Sequence, residues 1–457
     1  MAIDEDEIPS ERFIDQPPSC IEFCPADASI FVVGTYKLED RKERSSPEGT
    51  AAQLRSGRVE LYWIKKSAQS TGFGVSQCID KYDFPDSAVL DLHFRPQDPT
   101  FFAVCTSTSQ MVFFRLEMVE SEESPRLSIR HLGSCQIGED DTVLATAFTW
   151  EPRRDTHLLS FAVAFSSGDV KLFGLSERDF QISSEVSIDQ AHSLEAWTLA
   201  FAGPFPRTEK EIMLLTGGDD SILAFHSIES GTDSDCVIAV QLFQDRKSHT
   251  AGVTAILPIF ETNYVHLGTG VFVTGSYDER IRVFTLEESP PYRRSMVAEL
   301  SLGGGVWRLS TLLQLPCEEV GRDHVCSVLL LASCMHAGVR IVRIARRLSR
   351  NISQEAYTWK IDVVGAYTEG HESMVYGADS VSVRRLTDHE AEYPGDTDPL
   401  LRSGNQDNDD DPPRDFVIVS TSFYDRKICV WSFHYEGAAV MKVNLEFDSV
   451  DSHPNID

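Results

Sequence analysis

The sequence is short of positive charge. Its 457 residues include 41 Lys and Arg against 71 Asp and Glu, which gives a formal net charge of −30. Nucleic acids and anionic membranes are bound through basic surfaces, so this composition argues against both as partners and favours basic or cationic ones. Solubility alone explains the charge about as well.

Long apolar runs and paired cysteines are also missing. The longest apolar stretch, residues 325–332, is too short to span a bilayer. The opening MAIDEDEIPSER has neither the basic region nor the apolar core of a secretory signal. The 10 cysteines include no CxxC pair, which favours reduced thiols. We therefore expect a cytoplasmic protein.

Several enzyme signatures do not occur. The sequence has no G-x-S-x-G elbow, no H-E-x-x-H, no G-x-x-x-x-G-K-[ST] loop and no dinucleotide fingerprint. His and Cys occur singly rather than at the spacings of metal ligands. We expect no cofactor and no metal, although the pattern leaves a metal site open.

A short phrase recurs along the chain. It consists of an apolar strand, a pair of small residues, a turn carrying Asp, and an alternating strand that ends on an aromatic residue. The phrase is fullest in TGGDDSILAF (216–225) and TGSYDERIRVF (274–284), and weaker in FSSGDVKLF (165–173) and TSFYDRKICVW (421–431). Recurring hairpins of this kind are typical of β-propeller blades of the WD-repeat type.

Seven units can be read from these hairpins and from the inner strands that precede them. The inner strands begin near Pro18, Val89, Val143, Ala196, Val253, Val306 and Val375. The hairpins close near Trp63, Phe114, Phe173, Phe225, Phe284, Val342 and Trp431. The sequence therefore predicts an all-β, seven-bladed propeller, a ring that leaves no exposed sheet edge.

The predicted propeller covers residues 13–447. Residues 1–12 read as a flexible acidic terminus and residues 448–457 as a tail. The insertions at 37–56 and 384–414 are rich in polar residues and are expected to be disordered. Residues 438–447 are the candidate for the last strand of the ring.

Three units carry a His before the inner strand and an Asp in the hairpin turn. Such side chains commonly form a hydrogen bond that ties a blade together. The predicted structural pairs are His192 with Asp220, His249 with Asp278, and His371 with Asp425.

Unit six departs from this pattern at both ends. Its opening, GGGVWR (303–308), has glycines where the His should be, and ASCMHAGVRIV (332–342) carries His336 in place of the turn Asp. A local rule broken without evident gain favours a functional site. His336 is a candidate general base, since His titrates near neutral pH. A surface turn His is an equally good interpretation.

The second departure concerns the position after the leading apolar residue of each inner strand, which alternation turns towards the central channel. Around the ring this position holds Ser19, Leu90, Leu144, Trp197, Thr254, Trp307 and Tyr376. Aromatic faces with the nearby carboxylates of Glu195 and Glu372 would suit a quaternary ammonium group through cation–π attraction. Alternatively, the aromatic rings only plug the channel or pack between blades.

Several motifs together resemble one WD-repeat family, the diphthine methylesterases of diphthamide biosynthesis. They are FVVGTY, AHSLEAW, TGGDD, HTAGV, TGSYDE, GGGVWR, CMHAGV, HESMVYGAD and TSFYD, in the expected order from residue 31 to 431. TGSYDE alone is common among WD proteins, whereas AHSLEAW, GGGVWR, CMHAGV and HESMVYGAD together are specific. The family's hairpins often end in Trp-Asp, which Phe225-His226 and Phe284-Thr285 replace here.

The resemblance implies hydrolysis of the methyl ester of methylated diphthine on translation elongation factor two, giving diphthine. The substrate is a modified histidine with a trimethylammonium group, a ligand for the predicted aromatic cage. It also implies elongation factor two as partner, with other diphthamide-pathway proteins as further candidates. We expect a monomer. The competing hypothesis is a non-catalytic WD scaffold that gathers proteins on its rims.

The residues suggest a mechanism for such a hydrolysis. Trp197, Trp307 and Tyr376, with Glu195, would bind the ammonium group. His336 would activate water, while Arg308 or the amides around Gly304 would hold the oxyanion. A covalent route through Cys334 is less favoured, because that residue is as easily a buried strand residue.

Overall fold

The computed structural model describes residues 9–39, 54–66, 72–120, 125–138, 142–152, 158–188, 191–202, 211–230, 237–259, 270–287, 292–320, 323–351, 354–391 and 412–436. The seven predicted units form seven separate antiparallel sheets, which are the blades of a seven-bladed β-propeller. All seven unit openings predicted from the sequence lie within two residues of the first residue of an inner strand: five coincide with it, and Val143 and Val306 lie two residues before it.

Blade one follows a short separate strand, β1 (Glu11–Phe13). Its main strands are β2 (Pro18–Phe23), β3 (Ile30–Thr35), β5 (Arg55–Lys66) and β7 (Asp80–Phe84). Two short strands, β4 (Lys37–Leu38) and β6 (Phe73–Val75), also pair with β5. The predicted insertion at 37–56 therefore begins and ends in paired strand, and its residues 40–53 lie outside the described residues.

Blades two to six each contain four strands in chain order. Blades two and three are β8 (Val89–Arg95), β9 (Asp98–Thr106), β10 (Gln110–Val119), β11 (Arg126–Gln136), then β12 (Ala145–Trp150), β13 (Leu158–Phe165), β14 (Val170–Ser176) and β15 (Ile182–Ile188). Blades four and five are β16 (Ala196–Ala202), β17 (Glu211–Gly218), β18 (Leu223–Ser230), β19 (Val237–Asp245), then β20 (Val253–Ile259), β21 (Val271–Ser276), β22 (Arg280–Leu286) and β23 (Arg294–Ser301). Blade six is β24 (Arg308–Val320), β25 (Asp323–Ser333), β26 (Val339–Asn351) and β27 (Gln354–Tyr367).

Blade seven closes the ring with both ends of the chain. Its first three strands are β28 (Val375–Ser382), β29 (Asp415–Ser422) and β30 (Lys427–His434), and its fourth, outer strand is β1. The Ile14 amide donates to the Arg426 carbonyl at 2.9 Å, and the Val430 amide donates to the Ser10 carbonyl at 2.7 Å. The outer edge of β30 is thereby paired.

This closure corrects two expectations. Residues 438–447, the candidate for the last strand, lie outside the described residues, and β1 occupies the free edge of β30 that they were meant to fill. Glu11 and Arg12, assigned to a flexible terminus, belong to β1. A chain end can complete a distant blade because strand pairing depends on spatial proximity, which the local sequence does not encode.

The predicted disorder of 384–414 is also corrected in part. Its first residues form the helix α1 (Val383–Ala391), the one helix among the described residues. Leu386 of α1 is buried against the core between blades seven and one. Residues 392–411 lie outside the described residues. No helix in the described ranges has the length and apolar character needed to cross a bilayer.

The core consists of seven apolar clusters, each between two consecutive blades. The middle strands are buried on both faces, which explains their continuous apolar runs. In β9, Phe102 and Val104 pack towards blade one, whereas Phe101 and Ala103 pack towards blade three. Strand alternation thus makes each blade cover both of its neighbours.

One disulfide corrects the expectation of reduced thiols. Cys317 and Cys326 face each other across β24 and β25, with their Cα atoms 4.2 Å apart, and are joined. The other cysteines of the described part of the chain are free, and most of them are buried.

The closing strand generates a first prediction. The register places Arg12 opposite Ile428, and alternation with Ser10 and Ile14 makes its amide a donor to β30. Arg12→Pro removes that donor and leaves the acceptor on buried Ile428 unsatisfied. We expect it to destabilise the protein by about 1–3 kcal/mol more than Arg12→Ala does.

Chemical unfolding of the two variants measures this difference. Both lose the side-chain bonds from Arg12 to the Val75 carbonyl, so the comparison isolates the backbone bond. Equal stabilities of the two variants would show that β1 does not close the ring in solution.

Candidate functional site: the channel mouth

The residues at the channel mouth occupy a repeated backbone irregularity. In six inner strands the pairing register shifts by one residue near the start, and the unpaired residues are Ser19, Leu90, Thr146, Trp197, Thr254 and Tyr376. Trp307 comes immediately before β24, where its amide donates to the Ser333 carbonyl at 2.8 Å. A bulge re-aims a side chain, here at one level of the ring. Unit three contributes Thr146 rather than the expected Leu144.

Hydroxyl groups from neighbouring blades hold the two tryptophans in place. Thr146 Oγ1 donates to the carbonyl of Ala196, which immediately precedes Trp197. Thr254 Oγ1 donates to the carbonyl of Val306, which immediately precedes Trp307. Both hydroxyls lie in buried residues, where a satisfied hydrogen bond fixes the backbone of the next blade. Each tryptophan is therefore positioned from the blade before it.

The predicted aromatic residues meet. The ring centroids of Trp197 and Trp307 are 5.6 Å apart, and those of Trp307 and Tyr376 are 5.1 Å apart. Tyr277 approaches Trp307 at 5.9 Å, and Phe423 approaches Tyr376 at 5.2 Å. We call these five residues the aromatic cluster. All of them are half-buried, so their rings remain partly accessible.

Two members of the aromatic cluster were missed in the sequence. Tyr277 and Phe423 lie in hairpin turns rather than on inner strands. Tyr277 directly precedes the turn residue Asp278, and Phe423 lies two residues before the turn residue Asp425. The signal was present in TGSYDE and TSFYD. The alternation of inner strands gives no orientation for turn residues, so it does not predict that these two rings join the cluster.

Carboxylates flank one side of the aromatic cluster. A Cβ atom added at Gly252 would lie 2.8 Å from Asp219 Oδ1 and 2.9 Å from the Tyr277 ring, so these two side chains are neighbours. Burial raises the pKa of Tyr277, and the negative charges of Asp219 and Glu195 raise it further. Asp219 was not among the predicted residues. The aromatic cluster and its adjacent carboxylates together have the composition of a site for an alkylated ammonium group.

Glu372 lies on the same rim but is exposed, and its backbone amide donates to Asp425 at 3.1 Å. Glu372 is therefore less closely tied to the aromatic cluster than Glu195 and Asp219 are. A separate feature of this rim is Trp197 Nε1, which is buried without a hydrogen-bond partner among the described residues.

The two unusual segments of unit six pack against each other. A Cβ atom at Gly304 would lie 2.3 Å from the Cys334 carbonyl oxygen and 2.8 Å from the Ala337 Cβ. The glycine is thus required for a close backbone approach. His336 lies in the opposing turn and is exposed, and its side chain makes no hydrogen bond within the described ranges. The neighbouring Met335 carbonyl accepts the Val375 amide at 3.1 Å, which places this turn beside Tyr376.

Cys334 does not have the environment of a nucleophile. The residue is fully buried, and burial raises the pKa of its thiol to about 12. A thiol of this kind stays protonated near neutral pH.

A cavity of about 400 Å³ lies in the central channel between blades one, two, six and seven. Tyr376 lines it as well as belonging to the aromatic cluster, and Arg308, the residue after Trp307, also lines it. We call this space the channel cavity. The cavity and the aromatic cluster are therefore adjoining parts of one opening.

Arg308 is the end of a chain of charged side chains in the channel cavity. Its Nη2 atom lies 2.7 Å from Asp91 Oδ1. His93 is 3.2 Å from the other Asp91 oxygen and 2.9 Å from Glu22. Burial alone would raise the pKa of Asp91, but Arg308 and His93 hold it down at about 2. Burial works to lower the pKa of His93, but Asp91 and Glu22 raise it to about 10.

Asp379 also lines the channel cavity. Its two carboxylate oxygens accept the amides of Phe23 at 2.7 Å and Ser380 at 2.8 Å. No cation pairs with it among the described residues. Burial raises the pKa of Asp379 to about 7, with a further raising effect from the Glu22 carboxylate.

Comparison with known proteins adds relatives across most of the chain. No family model matches it. It is 24% identical over 381 residues to the diphthine methyltransferase homolog of Dictyostelium discoideum, covering 81% of this chain and 91% of that protein. It is 22% identical over 424 residues to diphthine methyltransferase of Schizosaccharomyces pombe, covering 92% and 96%. The Homo sapiens diphthine methyltransferase is 26% identical over 375 residues, covering 79% and 71%.

These relatives support the diphthamide-biosynthesis WD-repeat family. Their name, diphthine methyltransferase, differs from the methylesterase activity that the motifs predict. A solved structure, Sqt1 of Chaetomium thermophilum, is 14% identical and has a TM-score of 0.48, covering 93% of this chain and 97% of that one.

The motif HESMVYGAD, which carries part of this family resemblance, contains both Tyr376 and Asp379. Asp91 and His93 occur in VLDLHF, two residues apart on an inner strand. Alternation puts them on one face, so the signal for a polar channel was available. The partners Glu22 and Arg308 come from other blades, and nothing in the local sequence brings them together.

Of the three predicted His–Asp hydrogen bonds within blades, one forms and two do not. His192 Nδ1 lies 3.0 Å from Asp220. Asp278 instead holds Arg282 at 2.8 and 2.9 Å, so His249 has no direct bond to it.

In the third pair, Asp425 accepts the Ser373 hydroxyl at 2.8 Å and has no direct bond to His371. A different tie is common to all three units. Each His lies 2.8–2.9 Å from a strand hydroxyl, and each Asp accepts the amide of the residue after the His: the hydroxyls are those of Thr216, Thr274 and Ser420, and the amides those of Ser193, Thr250 and Glu372.

The charged chain in the channel cavity generates a prediction about pH. Because the pKa of folded His93 is about 10, above its unfolded value of about 6.5, protonated His93 stabilises the fold fully below about pH 6.5. That contribution is lost as the pH rises through about 10. The difference in unfolding free energy between wild type and His93→Gln should therefore shrink from pH 7 to pH 10.

Denaturant unfolding at several pH values measures this difference. His131→Gln is the matched control, because burial lowers the pKa of His131 and the residue stays neutral across that range. A His93 difference as constant as that of His131 would contradict the charged chain.

Proposed function

We propose that this protein hydrolyses the methyl ester of methylated diphthine on translation elongation factor two, giving diphthine. The aromatic cluster carries the proposal. Its rings, 5.1–5.9 Å apart in consecutive pairs, together with Asp219 and Glu195, fit the trimethylammonium group of that substrate. The relatives named diphthine methyltransferase support the same modified residue as the target.

The substrate is a side chain on a large protein, so the rim must also accept a protein surface. The net charge of −30 suits a basic surface on the partner. Tyr424, next to the aromatic cluster at 5.1 Å from Phe423, is 69% exposed and offers a further contact at the mouth. Elongation factor two is the proposed partner, and the cytoplasm is the proposed compartment.

Two places near the bound ammonium group offer groups for catalysis. One is the rim turn, with His336 facing the loop of Gly304. The other is the channel cavity, with Arg308 and Asp379. Both adjoin Tyr376: the rim turn through the bond between Met335 and Val375, and the cavity through its lining.

Purified wild-type protein should remove one methyl group from elongation factor two that bears methylated diphthine. Intact-mass measurement of the factor before and after incubation checks this, with heat-denatured protein as the control. A gain of a methyl group in the presence of a methyl donor would make the protein a transferase, in line with its relatives' name. An unchanged mass in both conditions, with retained binding, would make it a scaffold.

Trp307→Ala should weaken binding of the trimethylated substrate by about 2- to 30-fold, which corresponds to the loss of one cation–π contact. Binding of an analogue without the methyl groups on nitrogen should change less. Titration calorimetry with a modified peptide measures both affinities.

Trp63→Ala is the matched control, since Trp63 lies on β5 of blade one and contacts Lys65 rather than the aromatic cluster. An equal loss of affinity for the two ligands in Trp307→Ala would refute the ammonium site.

A further inference from the structure

The channel cavity adjoins the proposed ammonium site, because Tyr376 belongs both to the cavity lining and to the aromatic cluster. Trp307 and Tyr376 are neighbours in the aromatic cluster, with ring centroids 5.1 Å apart. The residue after Trp307 is Arg308, and three residues after Tyr376 comes Asp379. Both of these side chains line the cavity. A group attached beside the bound ammonium would therefore enter a polar space.

The size and lining of the cavity suit a small carbonyl-containing group. Its volume of about 400 Å³ lies in the range of small-molecule sites. The wall combines apolar residues such as Leu92 and Leu309 with a few charged groups. A site of this composition orients a ligand through its few polar groups and excludes bulk water through the rest.

Four of the charged groups in the cavity form a paired chain, Arg385 donates to the Pro25 carbonyl at 3.0 Å, and one carboxylate has no ion pair within the described ranges. In the paired chain, Glu22 pairs with His93, His93 with Asp91, and Asp91 with Arg308. Asp379 faces the same space and accepts only the two backbone amides described above. It therefore keeps lone pairs available for a water molecule or a ligand.

Arg308 keeps donors available as well. Its bond to Asp91 uses Nη2, and its other N–H groups make no hydrogen bond within the described ranges. Because Asp91 is itself held by His93 and by the Phe148 amide at 3.1 Å, the guanidinium has a fixed position. A fixed, charged donor in the wall of a cavity is well suited to stabilise a developing oxyanion.

We propose that the ester is hydrolysed inside the channel cavity, with Asp379 as general base and Arg308 as oxyanion donor. This rests on the proposed ester hydrolysis. It assigns the base to the cavity rather than to His336 on the exposed rim turn, where no neighbouring group orients the imidazole.

The step balances without a cofactor. Asp379 takes a proton from water as the water oxygen forms a bond to the ester carbonyl carbon, and the resulting oxyanion accepts hydrogen bonds from Arg308. The tetrahedral intermediate collapses, the bond to the methoxy oxygen breaks, and the proton on Asp379 passes to that oxygen. Methanol leaves, and the product acid releases one proton to solvent.

The environment of Asp379 sets the pH dependence of this step. Charged or titratable groups face it from β2 (Glu22), β8 (Asp91 and His93), β24 (Arg308) and α1 (Arg385). With its pKa raised to about 7 by burial and Glu22, Asp379 is active as the carboxylate above that pH. The hydrolysis rate should rise as the pH increases from 6 to 8.

Asp379→Asn should lower kcat by about 100-fold or more, with little change in the affinity for the trimethylated peptide, and should remove the rise near pH 7. Asp415→Asn is the matched control, because Asp415 lies on β29 of the same blade and is exposed. It should leave the rate and its pH profile unchanged. His336→Ala should retain most of the activity.

The outcomes separate this proposal from the function on which it rests. An inactive wild type overturns the ester hydrolysis itself. An active wild type with an unimpaired Asp379→Asn variant overturns only the assignment of the base, and a large loss in His336→Ala would move the base to the rim turn. If Asp379→Asn does not fold, the wild-type profile decides: a rate that does not rise between pH 6 and 8 overturns the role of Asp379.

Discussion

The pairing of β1 with β30 is the constraint on which the rest of the molecule depends. It joins blade seven to the beginning of the chain and completes the apolar cluster between blades seven and one, which includes Ile14, Val381 and Ile428. The channel cavity lies between strands of those two blades and of blades two and six. Without ring closure, Asp379 on β28 would not lie against Phe23 on β2, and the cavity would have no fixed wall.

Within the closed ring, chemistry is placed by small departures from regular pairing. In six blades the inner strand carries an unpaired residue near its start, and the ring brings these positions to one level. Where the residue is Thr146 or Thr254, it anchors the neighbouring blade; where it is Trp197 or Tyr376, it joins the aromatic cluster. The same backbone device thus serves either structure or binding, according to the side chain it carries.

The polar chain in the channel follows a different rule. Asp91 is fully buried, and a buried carboxylate is tolerated only with close partners. Arg308 and His93 provide them, at 2.7 and 3.2 Å. Asp379 differs, because it is half-buried and has amide donors but no ion pair among the described residues. A carboxylate kept in this condition titrates near neutral pH, which is a property that acid–base chemistry needs and that a purely structural residue does not.

Much of the fold could be predicted because its signals are local. Hairpin phrases and inner-strand alternation gave seven blades and the convergence of Trp197, Trp307 and Tyr376. The errors came where a local pattern has several solutions. Alternation predicts Leu144 at the channel, but a bulge moves that position to Thr146. The motif predicts a bond between His249 and Asp278, but Asp278 accepts from Arg282 instead. Tyr277 and Phe423 were missed because turn residues have no period to follow.

The sequence by itself determined the number of blades, the strand faces and the aromatic character of the channel mouth, since each follows from residues close together in the chain. Only the tertiary structure decided which strand closes the ring and which charged groups meet in the channel. Asp91 and Arg308 are 217 residues apart, and Phe23 and Asp379 are 356 apart. Contacts over such separations are set by ring closure, and a local pattern of side chains carries no information about them.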